Sequence, residues 1–276
     1  MVTALLALGT VLAWGLWIPM AQVLPGVPQS SRTFYATLSN AVFATVALAA
    51  GGGHVSLGWR GFWLPLLGGI VWTGGNYSAF KASEAIGLAR AAGSWTPLNI
   101  ITVFIWGAFL FGELDGFSAA RFVVLGGALA FVVAGVLCII RSQDARGGDG
   151  GPSVAVAVAG AGPASPRPLA APGPVAGGAG SARSGLIYSG AAGVLWGSYF
   201  VPAQWAKGPA QVSNFPLALG ILGAGAVLVL CTGGPARLRP GMAVVQLGAC
   251  CSGSGTSLCS AWWPGSARAS ASPSPS

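Results

Sequence analysis

Charge is scarce in this chain of 276 residues: charged side chains make up 7% of it, and only five are acidic. A soluble domain carries roughly a quarter of its residues as Asp, Glu, Lys and Arg, so a water-solvated surface is excluded as the organising principle. Histidine occurs once, as His54 in a Gly-rich turn, which leaves no His pair for a metal site or a proton relay. None of the five cysteines has metal-ligand spacing to that histidine. Cys138 and Cys231 lie in apolar runs and read as buried thiols, whereas Cys250, Cys251 and Cys259 fall in the C-terminal tail. With no His cluster, no paired acids and no nucleophile beside a base, an enzyme is the least favoured class. Neither a cofactor nor a metal is expected. The net charge of +8 is dispersed between apolar runs rather than gathered in a basic stripe, so nucleic acid is not an expected partner.

What is abundant is apolar surface, 54% of residues, together with 45 glycines. Seven apolar runs can be read, near 2–22, 33–51, 61–80, 91–112, 119–140, 185–206 and 214–232. Each approaches the ~20 residues a helix needs to cross a hydrocarbon core of about 30 Å. The expected class is therefore an all-α membrane protein with the lipid bilayer as its surroundings. The first run lacks a basic leading region and a small-residue cleavage site, and is read as a retained helix. Assigning loops alternately puts Arg32, Lys81, Arg90, Arg141, Arg146, Arg167, Arg183, Arg237 and Arg239 on one side and Arg60, Arg121 and Lys207 on the other. By the positive-inside rule the first side is cytoplasmic and the N-terminus lies outside.

Two segments repeat. Ala13 to Gln22 reads AWGLWIPMAQ and Leu195 to Gln204 reads LWGSYFVPAQ, sharing Trp-Gly, an aromatic three residues after the Trp, then Pro and Gln. Between them, 142–184 is rich in Ala, Gly and Pro without a period, as expected of a disordered linker. Five runs precede the linker and the repeated motif opens the sixth. An odd number of helices per unit inserts the second unit in the opposite direction, the inverted repeat of transporters. The expected organisation is a first five-helix repeat over 1–141, the linker, the start of a second repeat over 185–249, and an aberrant, disordered tail over 250–276. The tail is rich in Ser, Cys and Trp, whose codons mostly begin with T. Moving that T to the middle position yields only apolar residues, so a frameshift near Gly248 to Cys250, truncating the second repeat, is expected; the alternative is a genuine disordered Ser/Pro tail.

Polar and aromatic side chains concentrate in a few runs. Trp72 and Asn76 are four apart and so share one helical face, and the same spacing relates Trp95 to Asn99. Trp14 with Trp17, and Trp196 with Tyr199, are spaced three apart. Rings lie against the C–H faces of a sugar while amides both donate to and accept from its hydroxyls, so these eight residues are candidate ligands for a neutral polyhydroxylated molecule. Asn, Thr and Gln also serve as interhelical hydrogen bonds in membranes, and Trp and Tyr as interface anchors. KASEAIGLAR carries Lys81, Glu84 and Arg90. If submerged, an ionisable pair such as Lys81 and Glu84 should be functional, and a Glu that gains and loses a proton would couple transport to a proton gradient; the alternative is a solvated turn, favoured for Arg90. Glu113 and Asp115 read as a helix-end turn.

WTGGNYSAFKASEAIGLARAAGSWTPLNIITVFIWGAFLFGEL resembles helices 3 and 4 of the drug/metabolite transporter superfamily, in its sugar-uptake branch of glucose/ribose porters and their eukaryotic relatives. The resemblance rests on Gly75-Asn76, on Phe111-Gly112-Glu113 and on the openings AWGLWIP and LWGSYFVP, and covers 1–140 and 185–232. It implies ten helices in two inverted halves, of which this chain has seven to eight, and a carbohydrate transporter of the plasma membrane working by alternating access with proton coupling. Two alternatives stand: an exporter of amino acids or other metabolites on the same fold, and a non-transporting remnant or accessory subunit. A homodimer is held open as the assembly.

Overall fold

The computed structural model describes residues 4, 5, 8, 9, 12, 15, 17–19, 21, 27–50, 57–114, 116–146, 179–208 and 210–232. Within them the chain is all-helical, with no strand. The described residues between 4 and 21 are helical. They are followed by α1 (Gln29–Ala50), α2 (Trp59–Ile86), α3 (Leu88–Ile105, continued by the π turn Trp106–Leu110), α4 (Ala119–Arg146), α5 (Ala179–Ser198), α6 (Val201–Trp205) and α7 (Ala210–Thr232). α2 is the centre of the bundle, packing on α5 and α7; α5 also packs along α3, and α7 along α1. Gly185 of α5 abuts Ile86 at the end of α2 and Gly68 near its start abuts the carbonyl of Tyr199, so these two helices run antiparallel.

Three expectations are corrected. The run 185–206 is not one helix: α5 stops at Ser198, Tyr199 and Phe200 form a turn, and α6 restarts at Val201. Pro202 has no N–H to bond the carbonyl four residues back, which favours an interruption there. The solvated turn favoured for Arg90 is not there: Arg90 is helical in α3, Lys81 and Glu84 are helical in α2, and the break between the two helices is Gly87, at φ +81, a conformation that favours glycine. Cys138 and Cys231 are exposed on the outside of the bundle, not buried. Helix also takes in 142–146 and 179–184, the two ends of the stretch read as a linker. Its interior and the tail at 250–276 lie outside the described residues.

Among the described residues, the interior mixes aromatic and small side chains with many polar ones, and the outside is apolar. Thr33, Thr37, Asn40, Thr73, Asn76, Ser83, Ser189 and Ser213 are buried, while Val42, Val46, Phe109, Val123, Phe131, Val227 and Leu230 are exposed. Water-soluble folds place large aliphatics inside; the reverse suits a hydrocarbon solvent, in which polar side chains hydrogen-bond between helices. By length and composition, Leu88–Leu110 and Val212–Thr232 are each able to cross a membrane, and Ala119–Gly135 is a shorter apolar stretch.

Candidate functional site

An aromatic cluster occupies the middle of the bundle. α2 aims Trp72, Asn76 and Phe80, each four residues apart and thus on one face, into the interior, where all three are buried. The Trp17 ring stacks on Trp72 with centroids 6.1 Å apart and planes at 27°. It meets Phe80 and Trp196 edge-on at 5.9 and 6.0 Å. Trp95 closes the group, 5.5 Å from Trp196 with planes at 85°. Edge-to-face and offset pairs of this kind are the favoured arrangements of aromatic quadrupoles.

Glycines set how closely these rings approach. A Cβ at Gly75 would lie 2.6 Å from Cδ1 of Trp196, so the indole fits only because the neighbour of Asn76 has no side chain. On α5, a Cβ at Gly193 would lie 2.8 Å from the carbonyl of Trp95, and one at Gly197 would lie 3.0 Å from that of Asn99. Such small residues, four apart, let membrane helices touch backbone to backbone, and α3 and α5 run parallel along that seam. Ser189 fastens it further, donating from Oγ to the carbonyl of Ala91 at 2.9 Å while fully buried. Thr73 Oγ1 similarly reaches the carbonyl of Ile221 on α7 at 3.1 Å.

Of the expected ligands, the structure thus brings Trp17, Trp72, Asn76, Trp95 and Trp196 together, with Asn99 partly buried on the same seam. Tyr199 is partly buried against the edge of the group, in the turn that ends α5. Trp14 lies outside the described residues. Five buried polar atoms on four of these residues have no hydrogen-bond partner among the described residues: Trp72 Nε1, both amide atoms of Asn76, Asn99 Oδ1 and Trp196 Nε1. Most buried polar groups in folded proteins are paired, and an indole N–H can only donate. The set therefore offers donors and acceptors without any charge.

Lys81 and Glu84 stand apart from this set. Their ion pair, 3.1 Å long, is formed on one face of the end of α2, with the side chains 36% and 53% exposed. Glu113 sits in the turn after the π segment, where its carboxylate fills the space above Gly107, and Asp115 lies outside the described residues. No group of three or more His, Cys, Asp and Glu able to hold a metal forms among the described residues.

Two features escaped the sequence. Phe80 continues the series Trp72, Asn76 at the same spacing, and extending that series by one step would have found it. Arg32, which reads as a loop charge, is 5% exposed in the first turn of α1 and donates to the carbonyls of Ala21 at 2.7 Å and Val27 at 3.2 Å. It ties the end of the N-terminal helical stretch to α1, a role with no signature in spacing or composition.

The sequence model of a family described as "Sugar transport protein" matches residues 5–155, more than half of the chain. Among individual proteins, the chain is 28% identical to the "Putative ribose uptake protein RbsU" of Lactiplantibacillus plantarum over 146 residues, covering 52% of this chain and 48% of that one. A protein of the same name from Staphylococcus epidermidis is 32% identical over 117 residues, covering 42% and 39%. Its Staphylococcus aureus counterpart is 27% identical over 132 residues, covering 45% and 44%. The match spans less than half the length of these relatives. No solved structure matches.

Proposed function

The chain belongs to the family of sugar transport proteins, and on that premise we propose that it carries a neutral sugar across the plasma membrane, the ligand lying between the rings and amides of Trp17, Trp72, Asn76, Trp95, Asn99 and Trp196, with Tyr199 at the margin and Trp14 retained as a further contact on sequence grounds alone. The observation that carries this reading is the set of five uncharged polar atoms within an aromatic cluster that have no partner among the described residues. Leaving such groups buried and unmade costs about 1–3 kcal/mol each, a cost that binding a polyol removes. Indoles supply donors to sugar oxygens, the amides complete the hydroxyl pattern, and the ring faces cover C–H surface. The Lys81–Glu84 pair stands outside the cluster, which favours a neutral ligand over a charged metabolite.

The names of the relatives make D-ribose the first sugar to try. Further parts of the proposal are alternating access of two inverted repeats, proton coupling through Glu84 and Lys81, and an orientation with the N-terminus outside and 142–184 cytoplasmic. Uptake of a panel of labelled sugars into proteoliposomes is the test. Saturable uptake of one neutral sugar supports the reading, and its acceleration by an inward proton gradient supports the coupling. Transport of amino acids with indifference to every sugar would overturn it.

A further inference from the structure

We infer that Trp106 and Ser198 are positioning residues for the sugar site, their hydrogen bond pinning the π turn of α3 to the break that ends α5 and so fixing Asn99 against Trp196. The inference rests on the sugar-binding reading above and concerns residues outside the aromatic cluster. α3 departs from α geometry at Trp106, where the N–H of Phe111 reaches back five residues to the carbonyl of Trp106 at 3.2 Å. A π turn holds one residue more per turn than the ladder around it and recurs at functional sites in helices. α5 gives out at Ser198, and the next helix restarts with Pro202 near its beginning. These two irregular stretches, 92 residues apart in sequence, lie side by side.

The contacts between them are specific. Trp106 donates from Nε1 to Ser198 Oγ at 2.9 Å, and the Ser198 hydroxyl in turn donates to the carbonyl of Val194 at 2.8 Å. The rings of Phe111 and Phe200 stand 6.4 Å apart just beyond. On the inner side, Gly197 packs so closely that a Cβ would lie 2.5 Å from Cβ of Thr102 and 3.0 Å from the carbonyl of Asn99. The bond is thus a side-chain tie on the α3–α5 seam just before both helices lose regular geometry. Asn99 lies two turns before it on α3, and Trp196 two residues before it on α5. Both are site residues with unpaired atoms aimed at no described partner. Without the tie, the π turn is free to rewind at this end of the seam, and the distance between the amide and the indole is less tightly fixed.

The test uses the full chain in lipid nanodiscs, with labelled D-ribose binding measured by equilibrium dialysis and backbone hydrogen exchange by mass spectrometry. Trp106→Phe keeps the ring and removes the donor, Ser198→Ala removes the acceptor, and Ser198→Thr retains it. The expected result is a three- to tenfold weaker affinity in each of the first two variants, no further loss in their combination, and near-original affinity in Ser198→Thr. Exchange over 95–113 and over 194–205 should quicken together in either single variant. If the parent protein binds ribose while the two variants bind it unchanged, or their losses simply add, the positioning role is overturned. Should the parent bind no sugar, the ligand reading fails on its own, and exchange alone decides the coupling: an effect confined to the mutated helix refutes it.

Discussion

α2 and α4 are both helices of 28 residues, rich in glycine, small aliphatics and aromatics, and they occupy opposite situations. In α2, Gly68 and Gly69 meet the carbonyls of Tyr199 and Leu217, Gly75 meets the Trp196 indole, and Trp72 is 1% exposed. In α4, a Cβ at Gly126, Gly127 or Gly135 would meet nothing within 4 Å on another element among the described residues, and Phe131 is 80% exposed. Glycine in a helix costs up to about 1 kcal/mol relative to alanine. α2 recovers that cost in close approach, whereas α4 does not within the described bundle. Composition alone therefore does not separate a wall of the site from an outward-facing helix; contact does.

The same substitution in the two helices breaks or sharpens this contrast most strongly. Gly75→Ala places a methyl group where it must push the Trp196 ring aside, and overpacking of that kind costs about 1–3 kcal/mol. A Cβ at Gly127 meets nothing among the described residues, so Gly127→Ala should stabilise by up to about 1 kcal/mol through helix propensity alone. Thermal unfolding in detergent compares them directly. Equal effects would mean that the α2 glycines are not packing devices.

Next in size is Asn76→Leu. If Asn76 were interhelical glue, removing it would destabilise the bundle; with neither amide atom paired among the described residues, the change should leave stability unchanged or improve it. Sugar affinity should nonetheless fall by about tenfold, close to the 1.4 kcal/mol of one lost polar contact. Melting temperature and ribose binding, measured on the same preparation, separate the two roles. Ser189→Ala is the control in the other sense, removing a satisfied bond between α5 and the Ala91 carbonyl. It should cost about 1 kcal/mol of stability with little change in affinity.

How far the sequence discloses these roles depends on their range. Trp72 with Asn76 and Trp95 with Asn99 are legible because a repeat of four residues is a local property of one helix, and burial of that face follows from it. The all-helical class and most helix positions are legible for the same reason, since apolar runs of membrane length admit few alternatives. Illegible are the features settled by a distant partner: Arg32 held by carbonyls of Ala21 and Val27, Trp106 reaching Ser198, and the outward thiols of Cys138 and Cys231. The interruption at Tyr199–Phe200 lies between these extremes. Pro202 was visible within the repeated motif, yet a proline near the start of a new helix and one within a continuous membrane helix look alike in a single sequence.

The smallest expected effect concerns the charges at the end of α2. Lys81 and Glu84 face each other at 3.1 Å, but the pair is half-exposed, and ion pairs so situated contribute about 0–1 kcal/mol. Glu84→Gln should accordingly shift stability by less than about 1 kcal/mol, far below the effect of Gly75→Ala. Sugar affinity should also hold, because the pair lies outside the aromatic cluster. What should change is the response to a proton gradient: under the proposed coupling, uptake by the parent protein should accelerate when the gradient is inward, whereas a glutamine at this position cannot take up or release a proton, and uptake should become indifferent to the gradient. Lys81→Met removes the ion-pair partner but keeps the carboxyl, so gradient sensitivity should persist. If Glu84→Gln proteoliposomes respond to the gradient as the parent does, the pair is a surface ornament of α2 and any proton carrier lies elsewhere in the chain.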